Sequence, residues 1–163
     1  MTANKTLSRE TVKKVIQRKL NEVSYRFYNI NQGGCGAFAL ILGNLFEQLG
    51  FEYEYIVVVR SVSGVHAFKG LRANNAKLRM KDILNTGWKH IMVKWGGYYI
   101  DSEGFYDRIN DWEHDAGCIT KNELLEFLAP HNYDNWNSSF DRSQVPYIEN
   151  ELNKVVNKLQ TTI

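Results

Sequence analysis

The stretch "HIMVKWGGYYIDSEG", residues 90–104, constrains the fold more than any other part of the chain. Two short runs rich in β-branched and aromatic residues flank Gly96-Gly97. A Gly-Gly pair in that setting signals a two-residue hairpin, because both turn residues need backbone angles that glycine adopts without steric cost. With those glycines as the turn, Trp95 pairs with Tyr98, Val93 with Ile100 and Met92 with Asp101. Period-two alternation then puts Ile91, Val93, Trp95, Tyr98 and Ile100 on one face and His90, Met92, Lys94, Tyr99 and Asp101 on the other. The first face is apolar and predicts the core side. On the second, His90 lies diagonally across from Asp101, at about 7 Å between backbone positions, which side chains of this size can close.

The remaining elements follow from periodicity and caps. Val12, Val15, Ile16, Leu20 and Val23 recur at helical spacing behind Ser8, predicting an amphipathic helix from Ser8 to about Phe27 whose other face carries Lys13, Lys14, Arg18 and Lys19. From Gly36 to Leu49 apolar residues cover most of a helical surface and Gly50 supplies a stop, which predicts a central, buried helix. "FEYEYIVVVR", residues 51–60, reads as a strand; a second strand is expected over 65–69 and a helix over about 76–85. "ITKNELLEFL" carries a capping box, with Thr120 as N-cap and Glu123 reaching back. A last amphipathic helix is expected from about Pro146 to Leu159, facing inward through Ile148, Leu152, Val155, Val156 and Leu159.

A chain of 163 residues with 44% hydrophobic content can bury a core of its own, and no linker, low-complexity run or repeat divides it, so one domain over 1–163 is expected. Twenty basic and 18 acidic residues are spread evenly along it, which leaves no electrostatic footprint for nucleic acid. No run approaches the length of about 18 apolar residues that a membrane helix needs, and "MTANKTLSRE" lacks the apolar centre of a signal peptide. The expectation is a cytoplasmic protein with neither nucleic acid nor membrane as partner.

Two cysteines far apart in the chain make no disulfide framework. Cys35 stands in "NQGGCGAFALIL", between glycines and directly before the central helix. A thiol at a helix N-terminus beside an imidazolium falls from about 8.5 to roughly 3.5–7.5. Cys35, His90 and Asp101 are therefore the parts of a thiol triad: nucleophile, acid–base and the carboxylate that fixes the imidazole tautomer. Gly33, Gly34 and Gly36 let backbone approach a substrate. The Cys35 amide is a candidate oxyanion donor, with Gln32, Asn31 or Asn29 as candidates for a second. Trp112, just after the hairpin, is placed either as a shield over the triad or as a groove wall. The loop residues Tyr133, Trp136 and Phe140 either contact substrate or pin a long surface loop to the body.

The order of Cys at a helix start, His on a strand and Asp on the next strand resembles the papain-like thiol peptidases and their transglutaminase-like relatives. "NQGGCGAF" is similar to the Gln-Gly-x-Cys-x-Ala-Phe neighbourhood of the papain nucleophile, and "HIMVKWGGYYIDSEG" resembles the paired His and Asp strands of both groups. The resemblance covers residues 29–104 at most. It implies an α+β fold in which a central helix carrying the cysteine packs on a mainly antiparallel sheet. It also implies a protein or peptide substrate, Gln32 in the oxyanion role, and chemistry that needs no cofactor. Cleavage of a peptide or isopeptide bond is the leading expectation; glutamine deamidation and acyl transfer to an amine run on the same triad.

Plainer readings stand beside these. A lone cysteine before an apolar helix is commonly a packing residue, which would make the chain a non-catalytic effector or inhibitor that binds a partner protein. His66 is the rival base. His114 and Cys118 in "EHDAGC" are two ligand types without a second pair, so no metal site is expected.

Overall fold

The computed structural model describes residues 7–59, 89–109, 115–129 and 140–161. Helix α1 (Arg9–Arg26) begins where the Ser8 side chain accepts the Thr11 amide at 3.2 Å, and it buries Val12, Ile16, Leu20 and Val23, the stripe its spacing predicts. Helix α2 (Cys35–Gln48) is buried on nearly every side, from Cys35 through Phe38, Ile41, Leu42, Leu45 and Phe46. Gly50 ends it with φ of 73°, a left-handed turn that favours glycine.

Strand β1 (Glu54–Val59) starts three residues later than "FEYEYIVVVR" suggests. The Phe51 amide bonds back to the Phe46 carbonyl at 2.9 Å, so Phe51 closes the end of α2 instead of joining a ladder. Its ring packs 5.5 Å from that of Trp95, which in turn stacks on Phe46 at 5.5 Å. Aromatic packing onto the core outweighs local strand propensity here. Arg60, the strand expected over 65–69 and the helix expected over 76–85 lie outside the described residues.

Strands β2 (Lys89–Trp95), β3 (Tyr98–Asp101), β4 (Gly104–Tyr106) and β5 (Asp115–Ile119) join β1 in a five-stranded sheet of order β4-β3-β2-β1-β5, each strand antiparallel to its neighbours. The β2–β3 register is the one expected from Gly96-Gly97: Trp95↔Tyr98, Lys94↔Tyr99 and Val93↔Ile100. Both glycines have positive φ, 57° and 90°.

Alternation sorts the two faces. Tyr55, Val57, Ile91, Val93, Trp95 and Ile100 join one core with α1, α2, helix α3 (Lys121–Phe127) and helix α4 (Val145–Thr161), whereas Ile56, Val58 and Met92 form a smaller cluster behind the sheet with Tyr99, Tyr106 and Ile109. Among the described residues the fold is α+β. The capping box at Thr120 and Glu123 is present with both of its bonds. The inward face of α4 is the expected one, with Glu151 added to it: this carboxylate bonds Lys154 at 2.6 Å and reaches α1 through Arg26 at 3.1 Å and Lys19 at 3.4 Å. A three-residue 3-10 turn, Arg142–Gln144, leads into α4. Among the described residues no helix is long and apolar enough to cross a membrane.

Candidate active site

Cys35 is the first residue of α2, capped by Gly34, which has no side chain to bond the first-turn amides. Those amides have no partner within the helix and are available to other acceptors. The Gly36 amide takes the Cys35 sulfur, and so does the Ile91 amide of β2. β2 starts at Lys89 while its pairing with β3 reaches back only to Val93, so Ile91 meets the α2 terminus where that pairing has ended.

Glycines set this approach. A Cβ on Gly34 would stand 2.6 Å from Phe140 Cγ and 2.7 Å from the Ile30 carbonyl oxygen; on Gly36 it would stand 3.2 Å from Leu128 Cδ2 and 3.3 Å from Ile91 Cδ1. Any larger residue at 34 forces the helix start away from the loop that carries it.

His90 is wholly buried and its Nε2 lies 3.0 Å from Asp101 Oδ2, the diagonal contact that the hairpin register anticipates. The imidazole and the Cys35 thiol also interact, each shifting the titration of the other. Three residues from two distant parts of the chain thus form one buried, interacting series, Cys35–His90–Asp101.

Its electrostatics run toward the charged pair. Burial pushes the Cys35 thiol up, but the hydrogen bond and charge of His90, helped by the Ile91 and Gly36 amides, outweigh burial and bring it below its ordinary value. Burial by itself would lower His90; the bonds and charges of Asp101 and Cys35 raise it to about 9. Both shifts favour a thiolate facing an imidazolium.

Asp101 is 1% exposed and has three hydrogen-bond partners among the described residues. Besides His90, the Glu103 amide donates to Oδ1 at 2.8 Å and Asn31 Nδ2 donates to Oδ2 at 3.1 Å, while Tyr106 of β4 feels its charge. Burial pushes the Tyr106 hydroxyl up, and the negative charges of Asp101 and Glu103 push it further, so it stays a proton donor.

Asn31, considered from sequence as an oxyanion donor, donates through Nδ2 to Asp101. Asn29 and Gln32 are exposed in the turn that the Gln32 amide closes onto the Asn29 carbonyl at 2.9 Å, and Gly34 is buried beneath Phe140. Phe140 belongs to the core, which settles its part of the loop in favour of packing over substrate contact. Trp112, His66, His114, Tyr133 and Trp136 lie outside the described residues. Ser102 and Tyr106 went unremarked in the sequence, though "DSEG" is a second tight turn that folds β4 back along β3 and sets Tyr106 opposite Tyr99, on the Asp101 side.

A cleft of about 690 Å³ opens at the other end of the hairpin, lined by Glu47, Phe51, Tyr53, Glu54, Lys94 and the Gly96-Gly97 turn; none of the three series residues lines it. Among the described residues no group of three or more His, Cys, Asp or Glu is placed to hold a metal ion, and neither cysteine is in a disulfide. Comparison of the chain with family models, curated proteins and solved structures returns no match.

Proposed function

We propose that the chain is a thiol hydrolase of the papain-like or transglutaminase-like kind, cutting a peptide or isopeptide bond through a thioester on Cys35. The observation that carries this reading is the buried series Cys35–His90–Asp101, in which His90 Nε2 lies 3.0 Å from Asp101 Oδ2 and thiol and imidazole shift each other toward their charged forms.

The steps balance with these residues alone. The Cys35 thiolate adds to the amide carbon, and the carbonyl electron pair moves onto oxygen. The Cys35 backbone amide, at the positive end of α2, is the candidate donor to that oxyanion. As the intermediate collapses, the His90 imidazolium gives its proton to the departing amine, leaving neutral imidazole and the thioester. His90 then takes a proton from water, hydroxide adds to the thioester, and the carboxylic acid leaves as thiolate and imidazolium are restored. Asp101 holds the ring through Nε2 throughout. An amine in place of water gives acyl transfer, and a glutamine side chain as substrate gives deamidation.

The test is incubation with fluorogenic peptide amides and with an isopeptide-linked peptide, followed by intact-mass analysis. Turnover that disappears in Cys35→Ala, with a hydroxylamine-labile adduct on Cys35, is expected. Neither turnover nor adduct across these substrates refutes the reading.

A second reading draws on burial: Cys35 is 3% exposed and His90 0%. A protein that only binds a partner would keep the same series as an internal polar strut, and Cys35→Ala would then retain partner binding and every cellular effect.

A further inference from the structure

We infer that Asn31 is a positioning residue for the Cys35–His90–Asp101 series, holding the Asp101 carboxylate in line with His90 and tying that alignment to the loop that delivers the nucleophile. The inference rests on the catalytic reading above and extends it to a fourth side chain.

Asn31 Nδ2 and His90 Nε2 meet the same carboxylate oxygen, Oδ2 of Asp101, at 3.1 and 3.0 Å. The other oxygen is held by the Glu103 amide at 2.8 Å. With one oxygen fixed by the local turn and the other shared, the carboxylate cannot rotate away from the imidazole without breaking two bonds. The orientation of Asn31 is set in turn. Its Oδ1 accepts the Ser102 hydroxyl at 3.0 Å, and the Ser102 carbonyl accepts the Ser24 hydroxyl of α1. A flipped Asn31 would point oxygen at the carboxylate and lose that bond, because a carboxylate only accepts, whereas the Ser102 hydroxyl can bond either end of the amide. The network therefore selects one amide orientation, the one that donates to Asp101.

Position in the chain gives this bond its consequence. Asn31 lies in the same short loop as Cys35, and Asp101 lies on the hairpin that carries His90. One side-chain amide thus clamps the nucleophile loop to the acid–base hairpin. The titratable groups facing the series are few: Cys35 from α2 and Asp101 from β3 face His90, while Tyr106 from β4 and Glu103 from the turn face Asp101.

The experiment uses the full chain with Cys118→Ser, so that one thiol reports. Asn31→Ala, Ser102→Ala and His90→Ala are compared by the pH profile of Cys35 alkylation, by the His90 ring titration in NMR spectra, and by thermal unfolding. Asn31→Ala should slow alkylation at pH 7 by up to about tenfold, the worth of one hydrogen bond to a charged group. It should also bring the His90 titration below the wild-type value of about 9. Ser102→Ala, which removes the bond that holds Asn31 Oδ1, should move both in the same direction by less, and it tests the inference if Asn31→Ala does not fold. Profiles for Asn31→Ala and Ser102→Ala that superimpose on wild type while His90→Ala shifts them overturn the positioning role alone. Profiles that move with none of the three overturn the catalytic reading itself.

Discussion

Replacing His90 with alanine should uncouple the thiol, and the size of the effect follows from what surrounds the sulfur. In the wild type the opposing influences on Cys35 are burial, which raises its pKa, and His90, which is the largest influence lowering it; the Ile91 and Gly36 amides act more weakly. Without His90, burial dominates and the thiol returns to its ordinary range or above. A thiol at about 8.5 is roughly 3% ionised at pH 7, so the thiolate population falls by up to about thirtyfold. The thiolate that remains is the more basic and intrinsically faster nucleophile, with a Brønsted slope of about 0.4–0.5, which offsets part of that loss. The expected fall in iodoacetamide alkylation at pH 7 is thus about five- to thirtyfold. Because Cys35 is 3% exposed, absolute rates also report local opening, and the shape of the pH profile is the decisive quantity. The wild type should reach its plateau at a lower pH than His90→Ala, which should climb about tenfold per pH unit toward 8.5. Superimposable shapes would refute the pairing.

Cys35→Ala should lower the pH at which folded His90 titrates. Burial pushes His90 down, and the bonds and charges of Asp101 and Cys35 together raise it to about 9. With the thiol removed, two of those raising influences go while burial stays, so the imidazole gives up its proton at a lower pH than in the wild type. The stability that a raised histidine contributes, full below about 6.5 and lost as pH rises through the folded value, shrinks accordingly. NMR titration of the His90 ring checks the shift, and an unchanged midpoint in Cys35→Ala contradicts it. Gly34→Ala should both destabilise the fold, by about 1–3 kcal/mol for an overpacked site, and flatten Cys35 reactivity toward that of an ordinary thiol. Gly36→Ala, whose neighbours are movable side chains at 3.2–3.3 Å, should do so less. Equal effects of the two in thermal unfolding and alkylation would show that the loop backbone is not the constraint.

What the sequence revealed was local. The Gly96-Gly97 turn fixes the register of β2 on β3 by turn geometry alone, and with it the approach of His90 to Asp101 over 11 residues. The Ser8 cap and the Thr120 box act within one helical turn, and both were readable for that reason. What stayed hidden depends on contacts across the chain. The amide of Asn31 bonds a carboxylate 70 positions away, and nothing in "NINQGG" distinguishes that partner from an oxyanion. Phe51 looked like strand because its neighbours are β-formers; its ring instead joins Phe46 and Trp95. Tyr106 needed the second turn, "DSEG", to be read as a hairpin before its side of the sheet was defined.

The division of the series between one hairpin and one helix start also bears on how the molecule assembles. A short hairpin closes in microseconds, whereas bringing α2 onto it requires a long-range closure that is slower. His90 and Asp101 can therefore meet early, while Cys35 stays a solvated thiol of ordinary acidity until the helix docks. Thiolate absorbance would then appear only in the last folding phase, after hairpin fluorescence from Trp95 has changed, and the sulfur becomes a built-in clock for the docking of α2.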